Sequence, residues 1–255
     1  MSDPANTPPQ RPAAILIVGG PGSGKSTLSR IFANEGLLRI DPDAVRENLP
    51  EYPALMHSGV DVVAQTSEQT NQLTDAMLEK AIREGAGFVF DASGRDREWY
   101  LWLIRRLMQS GFETTVILAY CRPQVARRRC DQRAAHNGRR VSAGYFELTH
   151  TSIPGHFLHY AQAADRFLLV RTDTPNPACV WWRTAAGDIV LQPGFLEEFM
   201  DQAAAQSGLA DSLPGSFAPR PTLASRDPWF EGLCQRMHSL PSWDLSLETI
   251  YHPEH

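Results

Sequence analysis

A chain of 255 residues, 42% of them hydrophobic, can bury one sizeable α/β domain with an extension, or two small domains. A net charge of −5 and a pI near 5.9 argue against a dedicated nucleic-acid binder. The four cysteines (Cys121, Cys130, Cys179 and Cys234) show neither C-x-x-C pairs nor zinc spacing, the N-terminus lacks the charged and apolar regions of a secretory leader, and no apolar run approaches ~20 residues; a cytoplasmic chain with reduced thiols and no membrane contact is expected.

Residues 1–12 carry four prolines among small polar residues and read as a disordered lead-in. Ala13–Val18 is wholly apolar and ends in glycines, the pattern of a strand buried on both faces of a parallel sheet. Ser26–Asn34 reads as a helix, and Leu37–Ile40 as a second strand ending at Asp41. A long helix from about Val60 to Glu84 stops at Gly85 and Gly87. Phe88–Phe90 is a third strand ending at Asp91, followed by a helix to Ser110 that Gly111 would cap. Thr114–Tyr120 is the fourth strand, Pro123 suits the first turn of another helix, and Arg166–Val170 is the fifth strand. The alternation predicts βαβ units in a three-layer α/β sandwich with a mostly parallel five-stranded sheet. Cys179–Arg183 and Asp188–Leu191, joined across Gly187, predict a small hairpin, and Phe195–Ala205 a helix. Residues 13–203 then form one domain, and 204–255 a Pro- and Ser-rich extension whose amphipathic piece, Trp229–Leu240, could dock on it.

Gly19-Gly20-Pro21-Gly22-Ser23-Gly24-Lys25-Ser26 matches G-x-x-x-x-G-K-[ST] in full, between a buried strand and a helix, with Thr27 next in line. Its glycines let successive backbone N–H groups wrap phosphate oxygens, and the helix that follows aims its positive end at the same anion. Lys25, one of only two lysines in the chain, would reach the β- and γ-phosphates of ATP, and Ser26 would ligate Mg²⁺. The motif implies nucleotide binding; it leaves the phosphate acceptor open.

Strand ends supply the next signals, because doubly wound sheets place ligands there. Asp41, Asp43 and Arg46 follow the second strand. Asp43 is the candidate general base on an attacking hydroxyl, with Asp41 either its substitute or a cap on the next helix. Asp91 is placed to hold Mg²⁺ or its water shell. Ser93, Gly94 and Arg95 offer a hydroxyl, a close backbone approach and a cation, or simply a helix N-terminus. Seven arginines crowd 122–140, a run that suits a solvated helix face or an RNA-contacting patch. Within it, Arg133 and Arg139 flank the glycine-containing loop 136–140 and could close on a transferred phosphoryl group. His150, His156 and His159 fit a solvent-facing helix better than a metal site, and Trp181 and Trp182 fit packing better than base stacking.

Taken together, Gly19–Thr27, Ile40-Asp41-Pro42-Asp43 before Leu49-Pro50, Leu73-Thr74-Asp75-Ala76-Met77, Asp91-Ala92-Ser93-Gly94-Arg95 and Gly138-Arg139 resemble the zeta toxins, over roughly residues 13–203. The resemblance implies a P-loop kinase that phosphorylates UDP-N-acetylglucosamine on a sugar hydroxyl with ATP and Mg²⁺. It implies Lys25 on phosphates, Asp43 as general base, Asp75, Ser93 and Arg95 on the sugar-nucleotide, and Arg133 and Arg139 around the γ-phosphate. It also admits a cognate antitoxin. Asp75 and Ser93 are smaller than the commonest family residues at their positions. Other expectations compatible with the residues are a nucleoside, nucleic-acid end or other small molecule as acceptor, or a nucleotide-dependent switch that binds a partner.

Overall fold

The computed structural model describes residues 11–58, 60–174, 176–207 and 228–239. The expected lead-in up to residue 10 and the Pro- and Ser-rich stretches 208–227 and 240–255 lie outside the described residues.

In chain order the elements are β1 (Ala13–Val18), α1 (Lys25–Ala33), β2 (Leu38–Ile40), α2 (Pro42–Glu47), α3 (Tyr52–His57), α4 (Val62–Glu84), β3 (Phe88–Asp91), α5 (Arg97–Gln109), β4 (Glu113–Tyr120), α6 (Pro123–Asn137), α7 (Ala143–Ala163), β5 (Arg166–Arg171), β6 (Ala178–Thr184), β7 (Gly187–Val190), α8 (Pro193–Ser207) and α9 (Pro228–Ser239). One sheet runs β2-β3-β1-β4-β5-β6-β7. The first five strands are parallel, and β6 and β7 add antiparallel. The five-strand expectation therefore grows to seven: β5 lacks a parallel neighbour on its far side, so the hairpin fills that edge and continues the same sheet.

β1 is the middle one of the five parallel strands. Its side chains alternate between two cores, as period-two geometry requires. Ala14, Leu16 and Val18 enter the core built with α4, α5, α7 and α8, and Ile15 and Ile17 enter the core built with α1 and α9. With both faces covered, β1 cannot tilt or slide, and the loop at its end is held in place. Register then aligns the neighbouring strand tips. Ile17 pairs with Asp91 and Ile40 with Phe90, so Asp91 and Asp41 come side by side at the same rim as the loop after β1.

α7 spans Ala143–Ala163, where the histidines point to a solvent-facing helix. Pro154 and Gly155 signal a break, yet Pro154 sits buried inside a 21-residue helix. Tertiary packing of Phe146, Ile153, Phe157 and Tyr160 outweighs the hydrogen bond that proline removes. Trp181 and Trp182 are fully buried, as packing residues should be.

α9 lies against β6 and α1. Trp182 stacks on Trp229 and Phe230 with centroids 5.3 and 5.1 Å away, and Arg236 reaches Glu35 at 2.7 Å. Trp182→Ala would open a cavity costing roughly 3–5 kcal/mol. The thermal midpoint should fall by about 10 °C, measured by calorimetry; an unchanged midpoint would remove this docking of α9.

Candidate active site

The turn Gly19–Gly24 leaves β1 and enters α1 with Gly22 at φ 75° and Gly24 at φ 84°, left-handed values that favour glycine. Space imposes a second demand. A Cβ on Gly20 would lie 2.4 Å from His150 Nε2, and one on Gly22 would lie 2.3 Å from the Ala126 carbonyl.

The loop's carbonyls are tied from outside. Pro21 O meets His150 Nε2 at 2.9 Å, Gly22 O accepts from Arg129 at 3.4 Å, and Ser23 O accepts from Thr172 Oγ1 at 2.8 Å. The Thr172 N–H donates to Tyr120 O at 2.9 Å and its carbonyl accepts from Arg129 at 2.7 Å, which binds the loop to the tips of β4 and β5. The N–H groups of Lys25 and Ser26, in the first turn of α1, have no intrahelical partner, and the N-cap Gly24 has no side chain to meet them. Lys25 Nζ rests on Gly20 O at 3.0 Å. Burial lowers the Lys25 pKa, against the attraction of Asp91 and Asp43 and with help from Arg133.

Two carboxylates stand at the rim in opposite environments. Asp41 caps α2, accepting from Asp43 N at 2.9 Å, and pairs with Arg39 at 2.6 Å. Burial and the neighbouring Asp91 nevertheless push its pKa up to about 6. Asp43 is ringed by cations, with Arg46 at 2.5 Å and Arg139 at 2.7 Å. Partial burial would raise its pKa, but Arg139 and Arg46, then Lys25 and Arg133, outweigh burial and hold the carboxyl below its ordinary range. The capping role and the acidic cluster thus coexist: Asp41 orients the first turn from which Asp43 projects.

Asp91 is buried, and its Oδ2 accepts from Ser29 Oγ at 2.9 Å. The same Ser29 Oγ lies 3.1 Å from Ser26 O, so Asp91 sits against the first turn of α1, where Ser26 is exposed. Asp41 and Asp91 share one guanidinium, Arg39, so the pair retains an excess negative charge when both are ionised. A hydroxyl and a carboxylate beside a phosphate cradle fit the needs of Mg²⁺, which keeps waters and uses few protein ligands. Among the described residues no cluster of three or more acidic, histidine or cysteine ligands exists, so a metal here would rely on phosphate and water.

The remaining predicted residues divide. The Nε of Arg133 is buried without a hydrogen-bond partner among the described residues, and its charge acts on both Lys25 and Asp43. Arg139, just past the α6 cap at Gly138, bridges Asp43 and Glu47 and so spans from α6 to α2. Ser93 reaches the loop through its carbonyl, which accepts from Gly19 N at 3.0 Å. Arg95 is exposed and lies over the Tyr145 ring at 5.5 Å. Asp75 is not joined to the cluster by any hydrogen bond or ion pair among the described residues; it sits exposed on α4 beside Glu79, which pairs with Arg106 of α5.

Two expectations are corrected. The arginine run is not a solvated face: Arg122 pairs with Asp173 and Glu198, Arg127 covers Phe146, and Arg129 ties the loop, leaving Arg128 and Arg140 exposed. The histidines are not solvent-facing either. His150 is buried against Phe146 and burial lowers its pKa, while His156 and His159 are half-buried. His150, Thr172, Arg129, Arg39 and Ser29 belong to the site's frame and carried no motif that would single them out.

Sequence comparison adds relatives. "Toxin zeta" of Streptococcus pyogenes is 29% identical over 109 residues, covering 41% of this chain and 38% of that protein, so the aligned stretch spans well under half the relative's length. Among solved structures, a chain from the PezAT chromosomal toxin-antitoxin system of Streptococcus pneumoniae superposes with a TM-score of 0.59 at 17% identity, over 92% of this chain and 88% of that one. A structure of AvrRxo1-ORF1:-ORF2 with ATP gives 0.59 at 13% identity, over 92% and 77%. At such identities the two superpositions establish a common fold. The zeta toxin family model matches residues 2–177, more than half of the chain, and the chain belongs to the zeta toxin family.

Proposed function

We propose that this chain is a Mg-ATP-dependent kinase that transfers the γ-phosphate to a hydroxyl of a small polar acceptor, with UDP-N-acetylglucosamine the favoured one. The observation that carries the reading is Asp43, a carboxylate ringed by Arg46, Arg139, Lys25 and Arg133 at the mouth of an anion-binding loop. Triphosphate brings negative charge that competes for those cations. As Lys25, Arg133 and Arg139 turn to phosphate oxygens, Asp43 loses the partners that depress its pKa and becomes a better proton acceptor. The loop N–H groups hold the β- and γ-phosphates, Arg133 and Arg139 offset charge developing on the transferred group, and Asp43 takes the proton of the attacking hydroxyl. Ser26 and Asp91 are the residues that would hold Mg²⁺, which supplies charge neutralisation on the phosphates when bound.

Family membership and a hydroxyl-directed base support the sugar-nucleotide acceptor. Ser93 and Arg95 are proposed to line its site, and Asp75 is proposed to contact it from α4. The family likewise supports an antitoxin-type protein partner. Arg122 is taken up by Asp173 and Glu198, Arg127 covers Phe146 and Arg129 is held by the Thr172 carbonyl, which disfavours a nucleic-acid acceptor.

Incubation with Mg-ATP and UDP-N-acetylglucosamine should yield a product heavier by one phosphate in mass spectrometry. No such product from a chain that still binds ATP would eliminate that acceptor. Asp43→Asn should lower kcat by about 10²–10⁴-fold while sparing ATP affinity; undiminished turnover would remove Asp43 as base.

His150→Ala should weaken ATP binding about tenfold, the loss of one buried hydrogen bond and its packing, and His150→Gln, which keeps a donor, should restore much of it. Equal affinities across all three proteins would remove His150 as a prop of the loop.

Asp41 gives a pH signature. Its pKa in the folded chain is about 6, above the ordinary 3.8, so the folded chain binds more protons between these values. This group's stabilising effect is therefore full below about pH 4 and is lost as pH rises through about 6. The thermal midpoint of Asp41→Asn should lack this decline; identical profiles for both proteins would contradict it.

A further inference from the structure

Two thiols at the edge of the sheet have no part in the kinase chemistry. Cys179 lies on β6 and Cys234 on α9, and their sulfurs are 3.2 Å apart although 55 residues separate them in sequence. Cys179 is buried, at 6% exposure, and Cys234 is partly open. The contact is held on both sides. Phe230, one turn before Cys234, stacks on Trp182, and Trp229 stacks on both Trp182 and Phe32 of α1. Arg236, just beyond it, pairs with Glu35. The sulfurs therefore meet in a frame of stacked rings and an ion pair.

We propose that Cys179 and Cys234 are an oxidation site that closes to an intramolecular disulfide, fastening the C-terminal helix α9 to strand β6. A sulfur–sulfur bond is about 2.05 Å long, so closure needs a movement of roughly 1 Å and no refolding. The reaction is a two-electron oxidation with hydrogen peroxide as oxidant. The Cys234 thiolate attacks the terminal peroxide oxygen; the S–O bond forms, the O–O bond breaks, and the departing oxygen leaves as water after taking a proton. The Cys179 sulfur then attacks the sulfur of that sulfenic acid. The S–S bond forms, the S–O bond breaks, and the hydroxide leaves with the Cys179 proton as a second water. Cys234 is the sulfur to react first because it is the more accessible of the two. A hydrogen bond from Cys179 also holds its pKa below the ordinary thiol value, which favours the reactive thiolate. Cys121 and Cys130 are buried, and burial raises both their pKa values, so they are expected to react more slowly.

The test uses the full chain with hydrogen peroxide, followed by N-ethylmaleimide and tryptic digestion without reductant. The peptides ending at Arg183 and Arg236 should appear joined, with the loss of two hydrogens and no maleimide on either cysteine, and a phosphine reductant should separate them. Closing a loop of this length should raise the thermal midpoint by about 5 °C or more, and Cys234→Ser should show neither the joined peptide nor the rise. Maleimide on both cysteines after peroxide, a sulfinic acid at Cys234 without the joined peptide, or the same rise in Cys234→Ser would each overturn the proposal.

Discussion

Pro21, Gly22 and Ser23 each hand their carbonyl to a donor from elsewhere in the chain: His150, Arg129 and Thr172. A peptide unit that points its oxygen outward points its N–H the other way. Fastening three successive oxygens therefore fixes the direction of the opposing dipoles before any anion arrives. The donors come from α7, α6 and the residue just after β5, so the phosphate loop depends on helices and a strand that follow it by more than 100 residues. β1 supplies the other half of the constraint. Buried on both faces, it gives the loop an immobile root.

Around this root the charges are arranged with a purpose that a list of residue types would not reveal. Asp41 and Asp43 are two residues apart, yet one is pushed towards its neutral form and the other held firmly ionised. The difference lies in their neighbours. Asp41 shares Arg39 with a second, buried carboxylate, Asp91, whereas at Asp43 the charges of Arg139, Arg46, Lys25 and Arg133 outweigh burial. Arg46 and Arg139 pair directly with Asp43, and competition from a bound triphosphate for the surrounding cations would couple nucleotide occupancy to the basicity of the proposed base.

Much of this was legible in the chain itself. The run Ala13–Val18 and the glycine motif behind it predicted the strand, the turn and the helix almost to the residue, because each rests on short-range geometry. Asp41 and Asp91 at strand ends were legible for the same reason: parallel strands that share a register share a rim. The arginine run and the histidines misled because their decisive partners lie on other elements: Asp173, Glu198 and Phe146 for the arginines, and Pro21 of the loop for His150. A helix carrying the histidines was legible, but its full span Ala143–Ala163 was not, because it runs through Pro154 and depends on packing against the sheet.

Sequence alone determined the buried strand Ala13–Val18, the glycine turn, a helix from Ser26, and the acids at the strand tips, since these follow from steric rules acting over fewer than ten residues. Tertiary structure decided the rest. It chose which donors hold the loop's carbonyls, set the pKa values of Asp41 and Asp43 apart, placed Arg139 across to α2, attached the hairpin to the main sheet and brought Cys179 to Cys234. The reason is physical. Hydrogen bonds, ion pairs and desolvation act over a few ångströms of space and take no account of separation along the chain, so they exist as facts only once the layers have packed.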